Sequence, residues 1–214
     1  MEHPAPPAER LADGLAGLQL ELPEGAQEKL LAYLDLLAHW NRAYNLTAVR
    51  DRGEMIPRHL LDSLAVLPFV RGESLADIGS GAGLPGIPLA IARPRLAVTL
   101  IESNGKKARF LREAVRALPL PNVAVEQVRV QDAAGSFDTV TARAFSSLAD
   151  MLAWGGHLLA DDGRWLALKG RRDQEEIAGI PDDFRLVAVH QVEVPGTEAE
   201  RRVIELARSS SRNA

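Results

Sequence analysis

The 214-residue sequence contains no cysteine. Its absence excludes disulfide bonds, thiolate metal sites and a cysteine nucleophile. No metal site is predicted either, because the five histidines are scattered without the spacing of metal ligands. No apolar run approaches the roughly 20 residues that a membrane-spanning helix needs, and residues 1–10 lack the pattern of a signal peptide. We therefore expect a cytoplasmic protein that contacts no membrane.

Aromatic residues are also scarce, at 5% of the chain against 46% hydrophobic and 25% charged residues. A core of Leu, Val, Ile and Ala is expected. The net charge of −4 is unlike that of a generally basic nucleic-acid-binding domain. Positive charge is nevertheless concentrated locally, in Arg93, Arg95, Lys106, Lys107, Arg109, Arg112 and Arg116. A solvated face explains such a run as simply as a binding surface does.

The order of apolar patterns predicts an α/β fold. Two segments, 26–43 and 53–67, carry leucines at helical spacing. After Pro68, short apolar runs alternate with amphipathic stretches, which is typical of crossover units and a parallel sheet. The final runs, 184–194 and 201–208, predict an antiparallel hairpin. A mostly parallel sheet with this ending is the layout of Rossmann-like class I methyltransferases.

A glycine-rich segment, Asp77-Ile78-Gly79-Ser80-Gly81-Ala82-Gly83-Leu84, follows one predicted strand and opens a helix. Glycines let the backbone approach a ligand, and a helix N-terminus presents free amides. Read from Gly81, the segment is the dinucleotide pattern; read from Asp77, it is the pattern that S-adenosylmethionine enzymes favour. Asp77 favours the second interpretation, since an acid suits a cationic ligand better than a pyrophosphate. Glu102 ends the next predicted strand and is expected to accept both ribose hydroxyls.

The domain prediction follows from these patterns. We expect a disordered tail at 1–10, an N-terminal helical extension at 11–70, one compact S-adenosylmethionine-binding domain at 71–208 and a frayed end at 209–214.

The residues that the sequence lacks restrict which atom can accept the methyl group. Methylation at pyrimidine C5 needs a thiolate, and adenine amine methylation usually uses a proline-containing loop that segment 141–146 lacks. Methylation at guanine N7 fits these absences, because the N7 lone pair is already free and no general base has to remove a proton. Arg143 could donate to guanine O6 or contact the cofactor, and Phe145 could stack on the base. The alternative is that Arg143 forms an ion pair and Phe145 packs in the core.

Several segments together resemble the bacterial 16S rRNA guanine-N7 methyltransferases, the glucose-inhibited division protein B family. The resemblance covers about 30–206. Its most specific segments are Trp40-Asn41-Arg42-Ala43-Tyr44-Asn45-Leu46-Thr47, Arg58-His59-Leu60-Leu61-Asp62-Ser63, residues 77–88, residues 106–112, Arg143-Ala144-Phe145 and Ala167-Leu168-Lys169-Gly170.

The resemblance implies S-adenosylmethionine as cofactor and one guanine of 16S rRNA as target. The small basic surface favours RNA with ribosomal proteins attached, within the small ribosomal subunit or its precursor. It implies cofactor contacts from Gly79, Leu84, Val130, Gln131 and Arg143, beside Asp77, Gly81, Gly83 and Glu102 of the glycine-loop pattern. It implies an RNA-facing set of Asn41, Arg58, His59, Asp62, Ser63, Lys169 and Arg202, joined by Phe145. Arg143 and Lys169 are expected to serve catalysis, in a protein that need be no more than a monomer.

Structural alternatives remain for these residues. Asn41 could cap its helix, Asp62 could pair with Arg58, His59 could be an ordinary polar helix residue, and Lys169 a surface charge. Glu205 and Ala207 depart from the family pattern, which puts an RNA contact by the last strand in doubt. Two other functions also remain: a non-catalytic RNA-binding ribosome assembly factor, and a nicotinamide-dependent oxidoreductase.

Overall fold

The computed structural model describes residues 5–143, 147–170, 174–198 and 201–209. In these residues seven strands form one sheet in the order β3-β2-β1-β4-β5-β7-β6. The strands are β1 Ser74–Ile78, β2 Ala97–Ile101, β3 Val123–Glu126, β4 Phe137–Arg143, β5 Leu159–Lys169, β6 Phe184–Val192 and β7 Arg201–Arg208. Strands β1 to β5 pair in parallel, and β7 lies antiparallel between β5 and β6. The predicted Rossmann-like fold with its C-terminal hairpin is confirmed.

The central strands of the sheet are buried on both faces, as a parallel sheet requires, whereas the edge strand β6 is largely exposed. Alternate residues of one strand enter different cores: Leu166 and Leu168 join one hydrophobic cluster, whereas Trp165 and Ala167 join the other. The first cluster includes the N-terminal helices, and the second includes helix α7. The helices are α1 Pro7–Gly17, α2 Ala26–Tyr44, α3 Arg52–Met55, α4 Asp62–Leu64, α5 Gly86–Ala92, α6 Gly105–Ala117, α7 Leu148–Gly155 and α8 Gln174–Ala178.

Helix α1 begins inside the stretch that the sequence predicted as a disordered tail, so the tail boundary at residue 10 was wrong. Pro7 occupies a first-turn position, where its missing amide hydrogen costs little. Leu11 and Leu15 are almost completely buried. A Cβ at Gly14 would lie 2.2 Å from Leu61 Cδ1, which shows how closely α1 approaches the rest of the extension. Burial of two leucines stabilises a helix whose Pro- and Ala-rich start suggested disorder.

The helix predicted over 53–67 is not one regular α-helix. Between α3 and α4 the chain forms a π-helix, Ile56–Leu61, and a 3₁₀ turn follows at Leu67–Phe69. Pro57 stands at the start of the π-helix. A proline removes one helical hydrogen bond and crowds the carbonyl one turn earlier, and a local widening relieves that crowding. Asp62 and Ser63 follow this widened turn.

Two further elements differ from the expected pattern. Strand β5 begins at Leu159, ahead of the expected Arg164, and α8 was not predicted at all. The first five residues of β5 include Asp161, Asp162 and Gly163, which have low strand propensity. No helix in the described part of the chain is long and apolar enough to span a bilayer.

Candidate functional site

The loop after β1 is a glycine cradle at the carboxyl edge of the sheet. Gly79, Gly81 and Gly83 have φ values of 62°, 59° and 87°. Gly83 could not be replaced without strain, because its positive φ disfavours a side chain and a Cβ there would lie 2.4 Å from Ile87 Cδ1. Among the described residues, the amides of Gly79 and Ala82 donate to no protein acceptor. Those two donors can therefore serve a ligand's oxygen atoms.

Asp77 supports this loop from beneath. Its Oδ2 accepts a hydrogen bond from the Gly86 amide at 3.1 Å, and Thr141 Oγ1 donates to Oδ1 at 3.2 Å. Burial raises the pKa of Asp77 to about 7, even though these hydrogen bonds favour the charged form. The side chain is fully buried. The sequence interpretation that Asp77 faces a cationic ligand is therefore corrected: its carboxylate has no surface to offer and instead ties β1 to the start of α5.

Glu102 closes the other side of the cradle. Its Oε2 accepts from the Gly81 amide at 2.9 Å, and its Oε1 accepts from the Asn104 amide at 2.8 Å. Each carboxylate oxygen can accept a second hydrogen bond. Glu102 thus fixes the loop and still has acceptor capacity for hydroxyl groups, so its prediction as a ribose contact keeps its chemical basis.

Tyr33 of α2 reaches the same loop from the N-terminal extension. Its hydroxyl donates to the Ala82 carbonyl at 2.6 Å. The side chain is fully buried, and this burial raises its pKa well above the ordinary value. Its ring lies 6.5 Å from that of Phe110 on α6. Sequence reasoning missed Tyr33, since helical spacing marks it only as a core position.

Arg143, at the end of β4, forms part of a charged cluster with Asp62 and Arg201. Arg143 Nη1 lies 3.2 Å from Asp62 Oδ2, and Arg201 Nε lies 2.5 Å from Asp62 Oδ1. The Asp62 side chain is 5% exposed, against 24% for Arg143 and 33% for Arg201. The alternative that Arg143 forms an ion pair is confirmed, and the alternative that Asp62 pairs with Arg58 is wrong. Arg201 was missed in favour of its neighbour Arg202.

Asn41 and His59 lie inside the extension, so their predicted place at an RNA-facing mouth is corrected. Asn41 is 2% exposed, and its Oδ1 accepts from the Thr47 amide at 2.9 Å. His59 is 4% exposed and contacts Thr47 Oγ1 and the Arg58 carbonyl, each at 2.9 Å. Because a carbonyl only accepts, His59 Nδ1 carries the hydrogen and Nε2 accepts from Thr47. Burial lowers the pKa of His59 to about 4, which keeps the ring neutral. Both residues fix the connector after α2.

The remaining predicted RNA residues differ in exposure. Ser63 is fully buried, and its hydroxyl has no hydrogen-bond partner among the described residues, so it too lies away from the surface. Arg58 is exposed and pairs with Glu54 at 3.4 Å. Lys169 has an 11% exposed side chain and pairs with Glu176 at 2.8 Å. Lys169 is therefore not the free surface charge of the alternative interpretation.

Five other predicted site residues are Arg202, Val130, Gln131, Leu84 and Phe145. Arg202 lies opposite Lys169 in the pairing of β7 with β5. Val130 is buried in the 3₁₀ turn after β3, whereas Gln131 beside it is exposed. Leu84 is 3% exposed at the end of the glycine loop. Phe145 lies outside the described residues, and its stacking role stays a prediction.

These features together fit S-adenosylmethionine. The unbonded amides suit a carboxylate, and the Glu102 carboxylate suits ribose hydroxyls. In fold, the chain is similar to a predicted O-methyltransferase from Agrobacterium tumefaciens, with a TM-score of 0.57 and 22% identity over 71% of this chain and 80% of that one. It is likewise similar to TrmN from Thermus thermophilus, with a TM-score of 0.57 and 21% identity over 79% and 53%. Sheet order and glycine loop are those of the class I methyltransferase fold.

Residues 26–204 match the family model of GidB, rRNA small subunit methyltransferase G. The chain is 53% identical over 196 residues to ribosomal RNA small subunit methyltransferase G of Xanthomonas campestris pv. campestris, covering 91% of this chain and 92% of the relative. It is 50% identical over 207 residues to that of Stutzerimonas stutzeri, covering 95% and 96%. The chain belongs to the GidB family of rRNA small subunit methyltransferases. Neither the assembly-factor nor the oxidoreductase alternative finds support here.

Proposed function

We propose that this enzyme transfers the methyl group of S-adenosylmethionine to N7 of a guanine in 16S rRNA. The observation that carries the choice of atom is the state of three titratable side chains other than Glu102, which the same proposal assigns to the cofactor. Asp77 is buried beneath the loop, His59 is neutral and hydrogen-bonded at both ring nitrogens, and Asp62 is held by two arginines. None of the three is set up as a general base. Guanine N7 carries a free lone pair and loses no proton on attack, so it needs none.

The chain's own residues then bind the cofactor and orient the guanine. S-adenosylmethionine supplies an electrophilic methyl group when it is bound. The amides of Gly79 and Ala82 and the Glu102 carboxylate hold the cofactor, and alignment with water excluded provides most of the rate gain. Arg143 is paired with Asp62 through Nη1, and a guanidinium has further donors on its other nitrogens. Arg143 can therefore donate to guanine O6 while Asp62 keeps it in place.

The substrate context belongs to the same proposal. The chain carries a net charge of −4, and the two arginines beside Asp62 are paired with its carboxylate. A weakly basic surface captures free RNA poorly. We infer that the substrate is 16S rRNA within the small ribosomal subunit or its precursor, in the cytoplasm, and that the enzyme acts as a monomer. Light scattering of the purified protein tests the last point.

The test uses unmodified small subunits, free 16S rRNA and methyl-labelled cofactor. Nucleosides released by digestion should carry the label in 7-methylguanosine, with faster transfer on subunits than on free RNA. Arg143→Gln should lower kcat by at least tenfold, whereas Arg185→Gln, an exposed position on edge strand β6, should leave it unchanged. Label in an adenosine or at a pyrimidine carbon would contradict the proposal. RNA binding without any methyl transfer would instead favour the assembly-factor function.

A further inference from the structure

Helix α6 concentrates positive charge on one exposed face. Its 13 residues include five basic side chains and a single carboxylate, Glu113, in a chain of net charge −4. The face that packs against the sheet contains Ala108, Phe110, Leu111 and Ala114. Lys106, Arg109, Arg112 and Arg116 are exposed. Their spacing of three, three and four residues places them along one side of the helix, over about 15 Å at 1.5 Å per residue. We call these four residues the α6 stripe.

The charge of the α6 stripe is largely not offset. Arg116 pairs with Glu113 at 2.7 Å, and Arg112 donates to the neutral Gln127 Oε1 at 3.1 Å. Within the part of the chain that the structure describes, Lys106 and Arg109 form no ion pair. The arginines near Asp62 are in the opposite situation, since one carboxylate lies between them. The α6 stripe therefore retains cations that can contact an anion without first breaking an internal pair.

The stripe begins beside the cofactor cradle. The Asn104 amide donates to Glu102 Oε1, and the Gly81 amide donates to Glu102 Oε2. Lys106 thus follows only four residues after the carboxylate expected to hold the ribose. The Asn104 side chain caps α6 by accepting from the amides of Lys106 and Lys107 at 3.0 and 3.2 Å. The helix end is therefore satisfied internally, and the side chains of the stripe are what remain for a partner.

We propose that the α6 stripe binds phosphate groups of the RNA that flank the target nucleotide. The inference rests on the proposed function and adds the surface by which the RNA is held. An RNA backbone suits the stripe better than a protein does, because stable protein interfaces centre on apolar side chains. The apolar residues of α6, Phe110 and Leu111, are fully buried. Phosphate contacts need only accessible cations and fix the position of the nucleic acid.

The experiment measures binding of unmodified small subunits and of free 16S rRNA as a function of salt, with S-adenosylhomocysteine bound so that no reaction occurs. The test variant is Lys106→Gln/Arg109→Gln. The matched control is Arg71→Gln/Arg95→Gln, which changes the net charge equally at exposed positions near the amino ends of the strands. Melting temperature and calorimetric affinity for S-adenosylhomocysteine are recorded for each protein, to show that fold and cofactor site are intact.

For the test variant, the slope of log K against log salt should fall by about 1.4, since each phosphate contact with single-stranded RNA contributes about 0.7. Cofactor affinity and the slope of the control should match the wild type. An unchanged slope on both substrates overturns the proposal, and so does a loss seen on subunits alone, which would indicate contact with a ribosomal protein. The product of the wild-type enzyme is mapped separately, so an error in the target atom is distinguishable from an error in the surface.

Discussion

Replacing Asp77 by asparagine removes a fully buried charge with almost no change of shape. The new side-chain oxygen can accept from the Gly86 amide, which donates to Asp77 Oδ2 at 3.1 Å. The new amide can donate to Thr141 Oγ1, which lies 3.2 Å from Asp77 Oδ1. Because both contacts are retained, the second with donor and acceptor exchanged, a difference in stability that varies with pH reports the ionisation of Asp77.

The size of the effect follows from the pKa. The folded protein holds the pKa of Asp77 at about 7, against its ordinary value of 3.8. Between these values the native state keeps a proton that the unfolded state has lost, so its stability falls as pH rises. Three pKa units correspond to about 4 kcal/mol. Wild type and Asp77→Asn should therefore have similar free energies of unfolding near pH 4, with the variant more stable by up to about 4 kcal/mol at pH 8.

Denaturant unfolding of both proteins from pH 4 to pH 8 measures this difference. His59, with its pKa lowered to about 4 by burial, titrates in both proteins and cancels. Asp138→Asn is the control, because hydrogen bonds from Glu73 and Ser74 lower the pKa of Asp138. Its stabilising contribution is present above the ordinary pKa and is lost only as pH falls below it, so the difference between wild type and Asp138→Asn should stay nearly constant from pH 4 to pH 8. A difference between wild type and Asp77→Asn that stays constant with pH would refute the reasoning.

Three other substitutions test the site. Tyr33→Phe leaves the buried Ala82 carbonyl without its donor, at about 1–3 kcal/mol, and should weaken S-adenosylhomocysteine binding several-fold in calorimetry. Thr139→Val, near the amino end of β4 and so away from the cradle, should lower the melting temperature but keep the affinity. Equal affinities in the wild type and both variants would contradict the role of Tyr33. Glu102→Gln places an amide donor against a backbone amide and should weaken the same binding by at least tenfold, whereas unchanged affinity would remove Glu102 from the cofactor site. Asp62→Ala leaves two half-exposed arginines unpaired and should lower the free energy of unfolding by about 2 kcal/mol, a melting shift of about 4–8 °C; a shift below 1 °C would show that the cluster adds no stability.

Local sequence patterns were sufficient to predict the fold class and the position of the glycine cradle. The alternation of short apolar runs with amphipathic segments is typical of a parallel sheet covered on both faces, so a mostly parallel sheet could be predicted. The order of its strands was not predicted. The positions of Gly83 and Glu102 were predictable because they depend on the neighbouring backbone: a positive φ in one case and the end of β2 in the other. Their cofactor contacts stay predictions. Asp77 was recognised as important for the wrong reason, since sequence shows that an acid ends β1 but not which way its carboxylate points.

Contacts between distant residues were not predictable. Arg201 and Asp62 are 139 residues apart, and Tyr33 and Ala82 are 49 apart. Polar residues on α4 and the π-helix look solvent-facing by helical spacing, yet β4 and β7 supply the arginines that cover Asp62. For the same reason His59 resembles an accessible polar residue in the sequence, although in the structure Thr47 Oγ1 contacts its ring. Pairing of this kind depends on tertiary packing, about which a single sequence carries little information.

The choice of guanine N7 as acceptor can be tested by removing that one atom. Small subunits are reconstituted with 16S rRNA transcribed from 7-deazaguanosine triphosphate, in which a C–H group replaces N7 and every Watson–Crick edge is unchanged. Subunits with ordinary guanosine should accept close to one labelled methyl group each, and the deaza subunits should bind the enzyme with similar affinity but accept none. Equal methyl transfer to both would contradict attack by guanine N7.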